Sequence, residues 1–172
     1  MFIPVSTGHQ IEIVETLARE IWPGHYDPVI GEKQVDYMLD KFQSAAAIKG
    51  QIGAGALYFL IKAAQESEGE ATPHYIGYLA VEPGGEDLFL SKIYVKASLR
   101  GRGYGRKAVQ FAEAIARESR ACKIVLTVNR NNAGSIRAYE KMGFINTGPV
   151  VKDIGGGFVM DDYRMEKNIA PR

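Results

Sequence analysis

Residues 88–108 read LFLSKIYVKASLRGRGYGRKA. The run from Leu88 to Val95 is rich in β-branched and aromatic side chains and reads as a strand. From Tyr104 onward the apolar residues Ala108, Phe111, Ala112, Ile115 and Ala116 recur at helical spacing, so a helix begins directly behind the glycines. The first N–H groups of a helix lack internal partners and, with the helix dipole, form a site for anions. Glycines at 101, 103 and 105 let the backbone come within reach of phosphate oxygens and take up the alternating conformations of an anion nest. Arg100, Arg102 and Arg106 add positive charge. Taken alone, the turn fits a purely geometric reversal as well as a phosphate site.

Upstream, an apolar start at Phe2 to Val5 precedes Ile11, Val14, Ala18, Ile21 and Trp22, the stripe of an amphipathic helix with Glu12, Glu15 and Arg19 outside. Pro23 and Gly24 are expected to end it, leaving WPGHYDP as a loop. A second helix carries Val35, Met38, Leu39 and Phe42, and the Ala-rich stretch from Ser44 to Ile52 reads as one more short helix. The period then changes: Ala56 to Ala63, Tyr75 to Glu82 and Leu88 to Val95 form an expected antiparallel meander. Its first connector, QESEGEATP, is a polar hairpin tip whose Glu66, Glu68 and Glu70 read as a solvated loop.

Downstream of the glycine turn, Lys123 to Val128 is a nearly continuous apolar run of strand length. A short helix follows from about Ala133 to Met142. Two last strands, Phe144 to Asp153 and Phe158 to Glu166, join across Gly155, Gly156 and Gly157. The expected fold is α/β (α+β): a mixed, mostly antiparallel sheet of about seven strands flanked by helices, in the order βααβββαβαββ.

A chain of 172 residues fits one domain over 1–172, and 46% apolar with 24% charged residues is a globular composition. The formal charge of +1 leaves no dense basic tract outside Arg100 to Lys107, which argues against a nucleic-acid partner. One cysteine, Cys122, cannot form an internal disulfide. No apolar run approaches the roughly 20 residues that span a bilayer. A cytoplasmic location is expected, with no membrane partner and no metal; a homodimer is compatible with the sequence.

The turn R-G-R-G-Y-G at 100–105 resembles the [QR]-x-x-G-x-[GA] signature of the GNAT superfamily of N-acetyltransferases, and it follows the strand LSKIYV as in that superfamily. Asn132-Ala-Gly-Ser135-Ile-Arg-Ala-Tyr139-Glu-Lys-Met-Gly143-Phe144 resembles the second signature, N-x-x-[AS]-x-x-x-[YF]-x-x-x-G-F. Asn132, Ser135 and Tyr139 share one helix face at i, i+3 and i+7. They can also be read as a helix cap and a packed ring.

The resemblance implies an acetyl-CoA-dependent transfer of an acetyl group directly to a primary amine. It places the pyrophosphate on Arg100, Gly101, Arg102, Gly103, Tyr104, Gly105 and Arg106, and the pantetheine arm along Ile93, Tyr94 and Val95. Asn132 and Ser135 would also face the cofactor, and Tyr139 would be the acid for the departing thiol. Several members carry a Glu where this chain has Phe89. Glu82, Glu86, Asp87, Asp161 and Asp162 are possible substitutes, and none is assigned as base. The acceptor is expected between Trp22, His25, Tyr26 and Asp27 on one side and Asp161, Asp162 and Tyr163 on the other. Aromatic faces with carboxylates suit a cationic amine, polyamine-like or peptide.

Two other readings compete. A non-catalytic acyl-CoA sensor would keep the turn but has no use for Tyr139. A dinucleotide-binding oxidoreductase would use the loose pattern Gly103-x-Gly105-x-x-Ala108, but KIVLTVN ends in Thr127, Val128 and Asn129 where an acidic residue should hold the ribose.

Overall fold

The computed structural model describes residues 1–63 and 74–169. Glu66, Glu68 and Glu70 lie outside the described residues. The element order is β1 (Phe2–Pro4), α1 (Gly8–Ile30), α2 (Glu32–Phe42), α3 (Ala45–Gly53), β2 (Leu57–Lys62), β3 (Tyr75–Gly84) and β4 (Asp87–Val95). After a 3₁₀ turn at Ala97–Leu99 come α4 (Tyr104–Glu118), β5 (Lys123–Asn129), α5 (Ala133–Lys141), β6 (Ile145–Gly155) and β7 (Phe158–Asn168). Three helices stand before β2, the third being the short helix expected from Ser44 to Ile52, which the order βααβββαβαββ left uncounted. The seven strands form a sheet in the order β1-β2-β3-β4-β5-β7-β6.

The chain divides into two compact units, Met1–Ala80 with Lys92–Gly105, and Val81–Ser91 with the chain from Arg106 on. In the first, α1 opens on a capping box. Gln10 N donates to Thr7 Oγ1 at 3.2 Å, while Gln10 Oε1 accepts from the Thr7 N–H at 3.1 Å and from that of Ser6 at 2.8 Å. Val14, Leu17, Ala18, Ile21 and Trp22 form its buried stripe.

The expected stop at Pro23 is wrong: α1 runs through Pro23 and Pro28 to Ile30. A proline inside a helix removes one hydrogen bond and costs about 3 kcal/mol. What offsets it is aromatic packing by the residue just before Pro23 and by one a turn after it. Trp22 is buried and meets Tyr26 edge-on, with ring centroids 5.2 Å apart, and Tyr94 at the same distance. Burying such rings contributes about 1.5–3 kcal/mol each. WPGHYDP is therefore helix, and His25, Tyr26 and Asp27 have helical spacing. The stop comes at Gly31, at φ 85°.

In β4 the alternation of buried and part-exposed residues holds from Leu88 to Lys92, then slips by one at Ile93 and Tyr94, as at a bulge. Opposite this slip, a Cβ on Gly77 of β3 would overlap the Tyr94 carbonyl oxygen and come within 3.0 Å of Val95 Cα. Only glycine lets the two backbones come this close.

In the second unit β4 and β5 pair in parallel at Asp87–Lys123, Leu88–Ile124 and Phe89–Val125. On its other side β5 pairs antiparallel with β7 along its whole length, from Lys123–Asn168 to Asn129–Asp162. The β6–β7 hairpin closes through Gly155, Gly156 and Gly157, with φ 83°, 65° and 81°. At the sheet edge, β6 carries Pro149, Lys152 and two register shifts, devices that discourage further strand pairing.

Candidate active site

The last residues of β4 and the glycine turn belong to one stretch of backbone. Arg100 leaves the 3₁₀ turn in an extended conformation, at φ −66° and ψ 156°. Its Nε donates to the Val95 carbonyl at 3.3 Å. The first arginine of the turn thus braces the end of the strand, while Arg102 and Arg106 are exposed. Gly101 and Gly103 adopt φ 77° and 84°, the left-handed region that L side chains avoid. Gly105 lies in the first turn of α4, and a Cβ there would meet nothing within 4 Å. Left-handed glycines either side of Arg102, directly before a helix start, are a sequence of conformations compatible with an anion nest.

The same unit holds an aromatic cluster. Trp22 Nε1 donates to the Tyr78 hydroxyl at 2.9 Å, and that hydroxyl donates to Gln43 Oε1 at 3.1 Å. Burial pushes the Tyr78 phenol well above its ordinary range, with the Trp22 hydrogen bond opposing it. Trp22 thus lies in the core. Nearer the surface, the Tyr26 and Tyr94 hydroxyls are 3.1 Å apart and the His25 ring meets Tyr26 edge-on at 4.5 Å. Burial, and then the Arg100 charge, lower the His25 pKa and keep its imidazole neutral over a wider range of pH. Tyr78 and Gln43 had no signal in the sequence, since each partner is far away along the chain.

In the second unit, Asn132 caps α5: its Oδ1 accepts from Ser135 N at 3.2 Å. The capping reading of Asn132 is therefore realised, and a cap can also touch a ligand. Ser135 and Tyr139 are half-buried on the same helix. The Tyr139 ring meets Phe144 edge-on, 5.5 Å apart at 67°.

Register separates the two aspartates. Asp162 pairs with Asn129 and Val150, and Asp161 with Val151, so their side chains project from opposite faces of the hairpin. Asp161 Oδ2 bridges to Arg130 at 3.2 Å, Arg130 lies 5.6 Å from the Tyr163 ring, and Asp161 Oδ1 is buried without a partner. Asp162 is only 6% exposed. Burial raises its pKa, the hydrogen bond with Thr127 opposes this, and Asp161 raises it further. Arg130 was not singled out in the sequence, and Thr127 counted there only against a dinucleotide site; strand pairing brings them to the aspartates.

The Asp162 shift has a consequence for stability. Because its folded pKa is raised, the native state holds this proton more tightly than the unfolded chain. The stability linked to it is fully present below the ordinary aspartate pKa of about 3.9 and is lost as pH rises through the folded value. Asp162→Asn is expected to remove this loss. Urea denaturation midpoints of both chains at mildly acidic and neutral pH check it: the variant should gain on the parent as pH rises, and parallel pH profiles would contradict the assignment.

Among the described residues no helix is long and apolar enough to cross a membrane. The profile of the acetyltransferase (GNAT) family matches residues 15–144. Among solved structures, the PaiA N-acetyltransferase from Thermoplasma acidophilum in complex with coenzyme A is similar with a TM-score of 0.73 and 20% identity, covering 98% of this chain and 99% of that one. The ribosomal-protein-S18-alanine N-acetyltransferase from Escherichia coli follows at TM-score 0.69 and 14% identity, covering 100% and 95%. A spermidine N-acetyltransferase SpeG chimera from Vibrio cholerae and hSSAT has TM-score 0.67 and 17% identity, covering 98% and 94%. At these identities the likeness carries the fold.

Proposed function

Because this chain belongs to the GNAT acetyltransferase family, we propose that it moves the acetyl group of acetyl-CoA directly to the primary amine of a small cationic molecule or a peptide. The observation that carries the cofactor half of this reading is the turn at 100–105. Its left-handed glycines open onto the start of α4, which suits a pyrophosphate. Supporting it, the β4–β5 ladder consists of three pairs and ends at Phe89–Val125. The backbone from Ile93 to Val95 is then suited to take the pantetheine arm as an added strand. An N–H in that stretch, of Ile93, would meet the charge that develops on the thioester carbonyl.

Tyr139 would return a proton to the departing thiolate, and Asn132 and Ser135 would face the cofactor from the same helix. The amine, with an ordinary pKa near 10.4 if lysine-like, must shed a proton before attack. For the acceptor, His25 and Tyr26 of the first unit and Asp161 of the second are the proposed contacts, whereas Asp162, on the opposite face of the hairpin and 6% exposed, is withdrawn as a contact. Trp22, being buried, would act through Tyr26. The related structures bear on this only by their names, which include enzymes for spermidine and for a protein alanine.

The test is a thiol-release assay with acetyl-CoA and three acceptors: spermidine, a lysine-containing peptide and glutamate. Turnover with the cationic amines is expected, and a clear preference for glutamate would remove the acceptor assignment. Calorimetry with acetyl-CoA, NADH and ATP tests the cofactor; binding of NADH without acetyl-CoA would overturn it. Gly105→Leu is the cleaner probe of the turn, because Leu suits a helix and the added Cβ meets nothing. Valine at Gly103 would strain a left-handed residue as well as block the ligand. Gly105→Leu should weaken CoA binding at least about tenfold, near 1.4 kcal/mol, with an unchanged melting temperature for the unliganded protein.

A further inference from the structure

Lys167, near the end of β7, is half-buried and has no part in the reaction described above. Its Nζ donates to Glu113 Oε1 of α4 at 2.6 Å and to the Met142 carbonyl at 2.5 Å. Its stem passes within 3.5–4.0 Å of the place a Cβ would occupy on Gly143, and its charge lies 6.0 Å from the centre of the Phe144 ring. The acceptor is itself fixed, since the second oxygen of Glu113 takes a hydrogen bond from Arg117 at 3.2 Å. The Lys167 and Glu113 side chains are 24% and 15% exposed, so solvent screens this pair less than an ordinary surface bridge.

Met142, Gly143 and Phe144 are the residues that hold Tyr139. The Tyr139 carbonyl accepts from Met142 N at 2.9 Å and from Phe144 N at 3.1 Å, and its ring rests on the Phe144 ring. The last carbonyls of a helix lack internal partners, and a cation there both satisfies one and meets the negative end of the helix dipole. Lys167 thus grips the end of α5 at the carbonyl, the glycine and the ring that surround Tyr139.

We propose that Lys167, held by Glu113, is a positioning residue that sets the hydroxyl of Tyr139 for proton transfer. This rests on the reading of Tyr139 as the acid. A reacting group displaced on the order of 1 Å can lose about 10²-fold in rate.

The experiment pairs turnover with amide exchange in the full-length chain, for Lys167→Met, Lys167→Arg and Glu113→Gln, the last keeping an acceptor without its charge. Lys167→Met should lower kcat by about tenfold or more with the KM for acetyl-CoA little changed. It should also speed exchange at Met142, Gly143 and Phe144 by about tenfold without lowering global stability to match. Lys167→Arg should restore part of both, and Glu113→Gln should give a smaller loss of the same kind. In a Tyr139→Phe background, Lys167→Met should lower kcat no further.

An equal loss in both backgrounds overturns the proposal while leaving Tyr139 as the acid. Unchanged exchange at the three amides overturns it whatever the rate does. If Tyr139→Phe alone keeps full turnover, the acid assignment falls and the positioning role falls with it. Faster exchange would in that case show only a structural clamp.

Discussion

Tyr139→Phe is expected to lower kcat by about 10²–10⁴, the range that a positioned acid or base contributes, with acetyl-CoA affinity nearly unchanged. The structure makes the substitution clean. The ring meets Phe144 edge-on at 5.5 Å and the main chain is anchored through its carbonyl, so a phenyl ring keeps these contacts and only the hydroxyl goes. Collapse of the tetrahedral intermediate expels a thiolate whose conjugate acid ordinarily has a pKa of about 8.5, against about 10 for the phenol. In bulk water that transfer runs slightly uphill. In a dry site burial raises both pKa values, and the gap closes where the phenolate is better hydrogen-bonded than the thiolate it replaces. Steady-state kinetics with a binding titration check the result, and undiminished turnover would mean that water protonates the thiolate.

The second large effect is on folding. Gly77→Ala is expected to destabilise the native state by more than about 3 kcal/mol, above the usual range for an overpacked side chain. The atom that a methyl would strike is the Tyr94 carbonyl oxygen, with Tyr94 C and Val95 Cα each 3.0 Å away. Backbone atoms inside a sheet cannot rotate aside as a side-chain tip can. Relief would require β4 to shift exactly where its alternation slips, disturbing the stretch proposed to hold the thioester. Against a typical total stability of about 5–15 kcal/mol, Gly77→Val should leave little folded chain at ordinary temperature. Urea denaturation followed by circular dichroism measures this. A midpoint close to that of the parent would show that β4 has room to move.

Several features were legible in the sequence because they depend on near neighbours. The glycine turn, the amphipathic stripes of α2 and α4, the Asn132 cap and the Gly155 to Gly157 reversal each rest on residues within a few positions of one another, so spacing and residue type sufficed. The two signatures named the family for the same reason: both are short and contiguous. The stop at Pro23 failed because local propensity was overruled at long range. Trp22 and Tyr26 pack against Tyr78 and Tyr94, more than 50 residues away along the chain, and that burial carries α1 through the proline.

Four things only the tertiary structure decided. It put Trp22 in the core, through a hydrogen bond to a hydroxyl on β3. It separated Asp161 from Asp162, since one step along a strand reverses the face and the register is set by pairing with β5 and β6. It required glycine at 77, a position that in the sequence is one small residue within an apolar run. It brought Lys167 to the end of α5, where a lysine unremarkable in a terminal strand becomes the cation that closes a helix. The sequence determined the local conformations and the family, because those follow from residue type at short range. The side-chain environments came from strand register and helix docking, which depend on the whole chain being folded at once.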